Sequence, residues 1–393
     1  MSDSWNESST AHHRADHLPR HLRSRLRAAA LLALAALTAS GFGCRRDRAS
    51  SKAESLSEVW KTLASHARPG SSAAELPPEP PDDDEPEPTT LDAQREVLFH
   101  RLRDRLHLSD DVMGKLEAIF QHSKYMGQGN PAITEHPMTR KQCREIRRKA
   151  GLPYYVSHPE CGALDMVPIW DPTAGQTEKD ARVCIDQYEF PNLPCEYPVV
   201  FVRASEAVEI CEAMGKRLCD AHEWEGACAG AVHPADKEYA WGKSRMEMKW
   251  ESRKHREIVW AYGPHKDMKK CATGSHKSKK CGGGGWKTCG SNTYPTGAFP
   301  ECVSRFGVYD QHGNAAEHMN LPMGPDEVAS KGKYGETEMK GSWFAFQQYE
   351  AHEDDCRWRA PDWHVSKVRD PESHRNYHLG FRCCKDVNPT AGR

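Results

Sequence analysis

The chain has 393 residues, 38% hydrophobic and 28% charged, with a formal net charge of −2 and a mean hydropathy of −0.79. That length accommodates two or three ordinary domains, but the low hydropathy leaves a long polar portion outside any core. The near-neutral balance excludes a general attraction to nucleic acid or to an acidic membrane surface.

The first segment reads as an export signal over residues 1–43. Arg14, Arg20, Arg23, Arg25 and Arg27 form a positive stretch ahead of the apolar run Ala28 to Leu37. Counted generously to Phe42, the apolar run is about 15 residues, short of the ~20 that a spanning helix needs. Small residues then lead to Gly43-Cys44, the pattern of a bacterial lipoprotein cleavage site, with Cys44 as the lipidated N-terminus. Gly41 departs from that pattern, since it stands where a Leu is expected. The reading makes the membrane a partner through the lipid anchor, at the outer or cytoplasmic membrane, in the periplasm or on the cell surface. Residues 44–90 follow as a linker whose run from Leu76 to Pro88 is rich in proline and acid. Proline keeps such a segment extended and like charges repel, so it is expected to be a stiff, disordered spacer.

Residues 91–151 are expected to form a helical segment packed on the main domain. Leu98, Leu102 and Leu106 recur at four-residue spacing, and Ser109-Asp110-Asp111 reads as a new start before Val112, Leu116, Ile119 and Phe120. Thr139 with Gln142 fits a capping box, and Gly151 closes that helix. His100 and His107 read as surface histidines.

From Cys161 onward the chain turns to Trp, Gly and Cys with short elements. One helix is expected from Ser205 to Met214, burying Ala207, Val208, Ile210, Cys211 and Met214, with Gly215 past its end. The next starts at Asp220, with Glu223 placed for reciprocal capping, and Trp224, Ala227 and Cys228 on one face. The remainder reads as short strands and long loops, which need covalent staples. The chain has 15 cysteines. Setting Cys44 aside leaves an even 14, and with no Cys-x-x-Cys pair the count fits an oxidising compartment.

One insert, 243–290, is dense in cations, including Lys249, Arg253, Lys254, Arg256, Lys269, Lys270, Lys279 and Lys280, interleaved with Trp250 and Trp260. Cys281 and Cys289 bracket a glycine run ending in Trp286. That run lacks the Lys-Ser/Thr of a phosphate-binding loop. A basic patch with aromatics suits an anionic glycan or an envelope protein. The other reading is a solvated excursion tied down by a disulfide.

Several segments together resemble the formylglycine-generating enzyme, or sulfatase-modifying factor, family. They are Cys184-Ile185-Asp186-Gln187-Tyr188-Glu189, Tyr197-Pro198-Val199-Val200, Gly215 to Glu225, Phe306 to Glu317, Gly341-Ser342-Trp343 and Leu379-Gly380-Phe381-Arg382-Cys383. The resemblance implies an α+β, C-type lectin-like fold with little regular structure, over a domain at 160–387. It implies disulfides Cys211–Cys383 and Cys228–Cys356, while geometry argues against a bond between Cys383 and Cys384. It also implies a calcium site of Asp310, Gly313, Ala315 and Glu317, with carboxylates and carbonyls as hard donors. The family's Trp-Glu-Trp becomes Ala316-Glu317-His318. A second family calcium site, falling near Cys271-Ala272, is not recoverable.

The family's chemistry, oxidation of a substrate cysteine, uses copper held by two thiolates. Ala345 and Glu350 stand at those two positions, so the copper ligand set is missing. A sister branch uses iron on histidines, and His352, His364, His374 and His378 lie in or just past the corresponding loop. Their spacing matches no known triad. The leading expectation is therefore a lipid-anchored, disulfide-rich binding or structural module of the envelope. The alternative is a metal-dependent oxidoreductase, with iron on those histidines.

Overall fold

The helix starts follow from local side-chain chemistry. Thr90 Oγ1 accepts from Ala93 N ahead of α1 (Leu91–Leu106), and Ser109 Oγ accepts from Val112 N ahead of α2 (Asp110–His122). Thr139 and Gln142 cap each other reciprocally at the head of α3 (Arg140–Lys149). Each such cap contributes about 1 kcal/mol by satisfying donors that the first turn leaves unpaired. The structure, a computed structural model, describes residues 76–81, 86–238, 245–321, 335–360, 365–368 and 370–387. The export signal, Cys44 and His364 lie outside the described residues.

After α3 come β1 (Met166–Ile169), β2 (Val183–Asp186), α4 (Ala204–Ala213), β3 (Arg217–Leu218) and α5 (Ala221–Ala229). Short helices α6 (Ala235–Glu238) and α7 (Arg245–His255) precede β4 (Ala316–Asn320), β5 (Glu336–Lys340), β6 (Val365–Lys367), β7 (Leu379–Phe381) and β8 (Cys383–Asp386). One four-stranded sheet has the order β1-β2-β8-β3 and is antiparallel throughout. The other has the order β6-β5-β4-β7, with β4 and β7 parallel. The strand pair β7–β8 thus runs from one sheet into the other, which brings the Leu379-to-Cys384 segment to the centre of the fold.

Helix α4 begins at Ala204 and buries Ala207, Val208, Ile210 and Cys211, while Met214 sits half-buried at its C-cap. Asp220 and Glu223 form the reciprocal cap of α5, which buries Trp224, Ala227 and Cys228. The sequence separates a helical segment at 91–151 from a domain starting at 160. The first packs on the second through a shared apolar core. Leu98, Leu102, Leu116 and Phe120 share one apolar cluster with Val199, Val202, Ile210 and Phe381. Helix α2 packs on both α1 and α4, so the apolar residues of the three helices are buried together.

Seven disulfides join all 14 cysteines beyond Cys44: 143–195, 161–184, 211–383, 219–384, 228–356, 271–302 and 281–289. The adjacent Cys383 and Cys384 hold different partners. They sit on opposite faces of β8 and so pin the end of α4 and the end of β3 separately.

One buried acid near β1 predicts a pH dependence. Asp165 adopts a left-handed backbone (φ 52°), accepts from Val156 N at 2.9 Å through Oδ1, and leaves Oδ2 buried without a hydrogen-bond partner. Burial pushes its carboxyl up to about 8, against the pull of that hydrogen bond and of Arg147. The unfolded chain releases this proton near its ordinary value of 3.8. The folded-state value is the raised one, so this group's contribution is complete below about pH 4 and lost as pH rises towards 8. Asp165→Asn keeps the acceptor and tolerates the left-handed backbone. It is expected to remove this stability loss between about pH 4 and 8, read as denaturation midpoints across pH. An unchanged slope would sink the assignment.

Candidate functional site

The centre of the fold is a group of buried carboxylates around one guanidinium. Arg382 follows β7 and is wholly buried. Its Nε donates to Glu317 Oε2 at 2.7 Å and its Nη2 to Glu317 Oε1 at 2.6 Å. The same side chain donates to the carbonyls of Tyr309, Asp186 and Gln187. Trp224 Nε1 donates to Glu317 Oε2 from α5 at 3.2 Å. One arginine therefore joins the Cys184–Glu189 segment to the Phe306–Glu317 segment, and Glu317 extends the network to α5 through Trp224.

Two further carboxylates face this pair. Glu189 Oε1 accepts from Ala315 N at 2.7 Å and its Oε2 from Asn314 Nδ2 at 2.6 Å. Asp310 Oδ2 accepts from Gly297 N at 2.6 Å, whereas its Oδ1 is buried with no hydrogen-bond partner. Burial, then mutual repulsion, holds Glu189 well above the ordinary carboxylate range. Burial raises Asp310 to about 6 and Glu317 above its usual value, with Arg382 opposing both. Three buried acids crowd one contacting guanidinium, and burial with that crowding is why their protons are held more tightly.

Gly313 has φ 81°, and a Cβ there would meet the Ala272 carbonyl at 2.6 Å. Only glycine fits that close approach. Asp310, Gly313 and Ala315 thus lie on the loop leading into β4 and Glu317 within that strand, and Gly313 N donates to Ser342 Oγ at 2.9 Å. The orphaned Asp310 oxygen is a hard donor open to a cation at this loop. Glu317 can serve such a cation while paired with Arg382, because a carboxylate offers about four acceptor directions. Glu189, quoted in the sequence motif but given no role there, is the residue that sequence reasoning missed. Its partners lie 125 residues away.

Ala345 and Glu350 stand where the resemblance places the copper ligands. Ala345 is buried against Phe344, Phe346, Ala315 and Tyr377. Glu350 is exposed and ion-paired to Lys266. Among the described residues every cysteine is in a disulfide.

The C-terminal histidines pack instead of converging. The His352 ring stacks on Trp358 at 4.2 Å, and the His378 ring stacks on Trp343 at 4.9 Å. Burial lowers His352 and His374 below the usual histidine value. Among the described residues, His352, His374 and His378 form no group whose ligand atoms lie within 4.8 Å of one another.

The basic insert folds back on this region. Residues 243–290 hold 13 Lys and Arg against four Asp and Glu, and several of these cations meet an acidic run at 350–355. Arg256 binds Asp355 at 2.9 Å and also pairs with Glu353. Lys266 pairs with Glu350 and, at 3.1 Å, with Asp354. Trp260 Nε1 donates to Asp354 Oδ1, and Cys356 N donates to Val259 O. Trp286 stacks on Tyr125 at 5.1 Å. Trp250, by contrast, is 58% exposed, with Lys254 Nζ over its ring at 4.6 Å. The acidic run is visible in the sequence, but its pairing with cations some hundred residues earlier is not.

These features define an α+β protein of C-type lectin-like architecture, built around the arginine–carboxylate core. The chain belongs to the sulfatase-modifying factor enzyme 1-like domain family, whose model matches residues 130–387. It is 27% identical over 211 residues to the formylglycine-generating enzyme of Bos taurus, covering 50% of this chain and 46% of that protein. Identity to the Mus musculus enzyme is also 27%, over 209 residues. The chain therefore spans about half the length of the curated relatives it matches. Among solved structures, CarF superposes with TM-score 0.31 at 12% identity, over 52% of this chain and 87% of CarF. The Major Tropism Determinant I1 variant gives TM-score 0.28 at 12% identity, over 60% of this chain and 54% of its own. The family match begins at residue 130, inside the segment that the sequence assigns to helices alone. Among the described residues no helix is long and apolar enough to cross a membrane, and the seven disulfides are consistent with an exported protein.

Proposed function

We infer that this protein is an exported, lipid-anchored member of the family that acts as a binding or structural module of the cell envelope, without the copper chemistry. The observation that carries this reading is the content of the two copper positions. Ala345 is packed into an aromatic core, and Glu350 is held by Lys266 of the insert. Disulfide saturation and the lipoprotein-type sequence at Gly43-Cys44 support the location. The exposed Trp250 with Lys254, and the surplus of cations in the insert, support an anionic glycan or an envelope protein as partner.

The purified domain, given copper, oxygen, reductant and a sulfatase-type cysteine peptide, is expected to leave the peptide cysteine unchanged. Mass spectrometry checks this beside an active formylglycine-generating enzyme as control. Conversion of the cysteine to an aldehyde would overturn the reading.

Calcium belongs to the same proposal. Asp310, Gly313, Ala315 and Glu317 would hold it, and it would neutralise the buried acids and lock the turn before β4. At a hundredfold excess over its dissociation constant, such a ligand stabilises by about 2.7 kcal/mol. Calcium is expected to raise the unfolding midpoint of the wild-type protein, and a chelator to reverse the rise. Asp310→Asn is expected to abolish the response. A wild-type midpoint indifferent to both additions would count against calcium here.

A further inference from the structure

We propose that His158, Glu160 and Glu178 form a surface site for a divalent transition metal of the zinc type. The three offer one ligand atom each, all within 4.8 Å of one another. His158 Nδ1 lies 3.2 Å from Glu178 Oε1 and 3.5 Å from Glu160 Oε1. Their side chains are 28%, 33% and 34% exposed, partly desolvated yet open to an incoming ion. One imidazole nitrogen with two carboxylates is a borderline donor set. It suits zinc, which takes nitrogen and oxygen ligands at four positions, better than calcium, which takes oxygen only. Water or a donor from another molecule completes the fourth position.

The ligands come from two segments that the fold already holds rigid. His158 O accepts from Cys161 N at 2.9 Å and from Gly162 N at 3.4 Å, and Cys161 is bonded to Cys184 of β2. Ser157 and Leu164 close the base of that loop as a β-bridge. Glu178 opens a short 3-10 turn, Glu178–Asp180, capped reciprocally by Thr177 and Asp180. The backbone of both segments is therefore ordered before a metal arrives, which lowers the entropy lost on binding. A bound ion would clip the loop 157–164 to the turn ahead of β2. This site is separate from the carboxylate core and does not depend on the function proposed above.

The test uses oxidised, metal-free protein without an affinity tag, so that neither thiols nor added histidines compete. Calorimetric titration with zinc chloride is expected to show one class of tighter sites that vanishes, or weakens by at least about tenfold, in His158→Ala and again in Glu178→Gln. Cobalt(II) in place of zinc is expected to give visible absorption bands that both variants lose. Circular dichroism of the variants checks that the fold is retained, as these half-exposed side chains predict. Zinc isotherms identical in wild type and both variants would mean a surface ion pair only, and the proposal would fall.

Discussion

Arg382→Met is expected to lower the stability of the domain by about 3–5 kcal/mol, the range for breaking a buried ion pair from one side. The arginine is wholly buried and holds both oxygens of Glu317. Methionine fills much of the same volume but leaves the Glu317 carboxylate facing Glu189 and Asp310, with only the Trp224 indole still donating to it. Burial of a charge without its partner is the dominant penalty, larger than any single lost hydrogen bond. Arg382→Lys keeps a charge but loses the planar fork, and should fall between wild type and Met. Arg103→Ala is the control, because it and its partner Glu117 are 46% and 38% exposed and such a pair contributes about 1 kcal/mol or less. Urea midpoints at constant slope give the comparison. An Arg382→Met variant within about 1 kcal/mol of wild type would remove the arginine from the centre of this account.

The second large effect lies in the two bridges on β8. Removing Cys211–Cys383 alone leaves Cys219–Cys384 in place one residue away. The freed bridge then closed only the short segment from Cys211 to Cys219, an effective loop of about ten residues with a chain-entropy contribution near ~2.7 kcal/mol. The same holds with the roles exchanged. With both bridges removed, Cys228–Cys356 is the nearest remaining closure, and the effective loop grows to roughly 45 residues, bringing the total to about 6–7 kcal/mol. The quadruple alanine variant is therefore expected to lose more than the sum of the two double variants, by about 1 kcal/mol. Strict additivity in urea unfolding would show that the bridges stabilise through local contacts and not through shared loop closure.

The helices were legible because their signals are local. Thr139 with Gln142, Ser109 ahead of Val112, and Asp220 with Glu223 act within one turn, and each cap is present in the structure. The strands and loops of the domain were legible only through the resemblance, since pieces such as Arg217–Leu218 and Leu379–Phe381 are too short to carry a period. The implied pairings Cys211–Cys383 and Cys228–Cys356 occur in the structure, while the partners of the other ten cysteines could not be read. A cysteine carries no mark of its partner, and separations here run from 8 to 172 residues.

The candidate site divides along the same line. Asp310, Gly313 and Glu317 stand close together in the chain, so they were visible as a set of oxygen donors. Glu189 joined them only because the early strand and the turn before β4 meet across the core. The insert shows the same limit from the other side. Its charge suggested an external anion, and in the fold Arg256 and Lys266 are engaged by the acidic run at 350–355. Residue identity alone puts no thiol at 345 or 350, where the resemblance places one. Which charges neutralise one another depended on chain closure, since electrostatic pairing is set by distance in space and low dielectric, neither of which sequence order encodes.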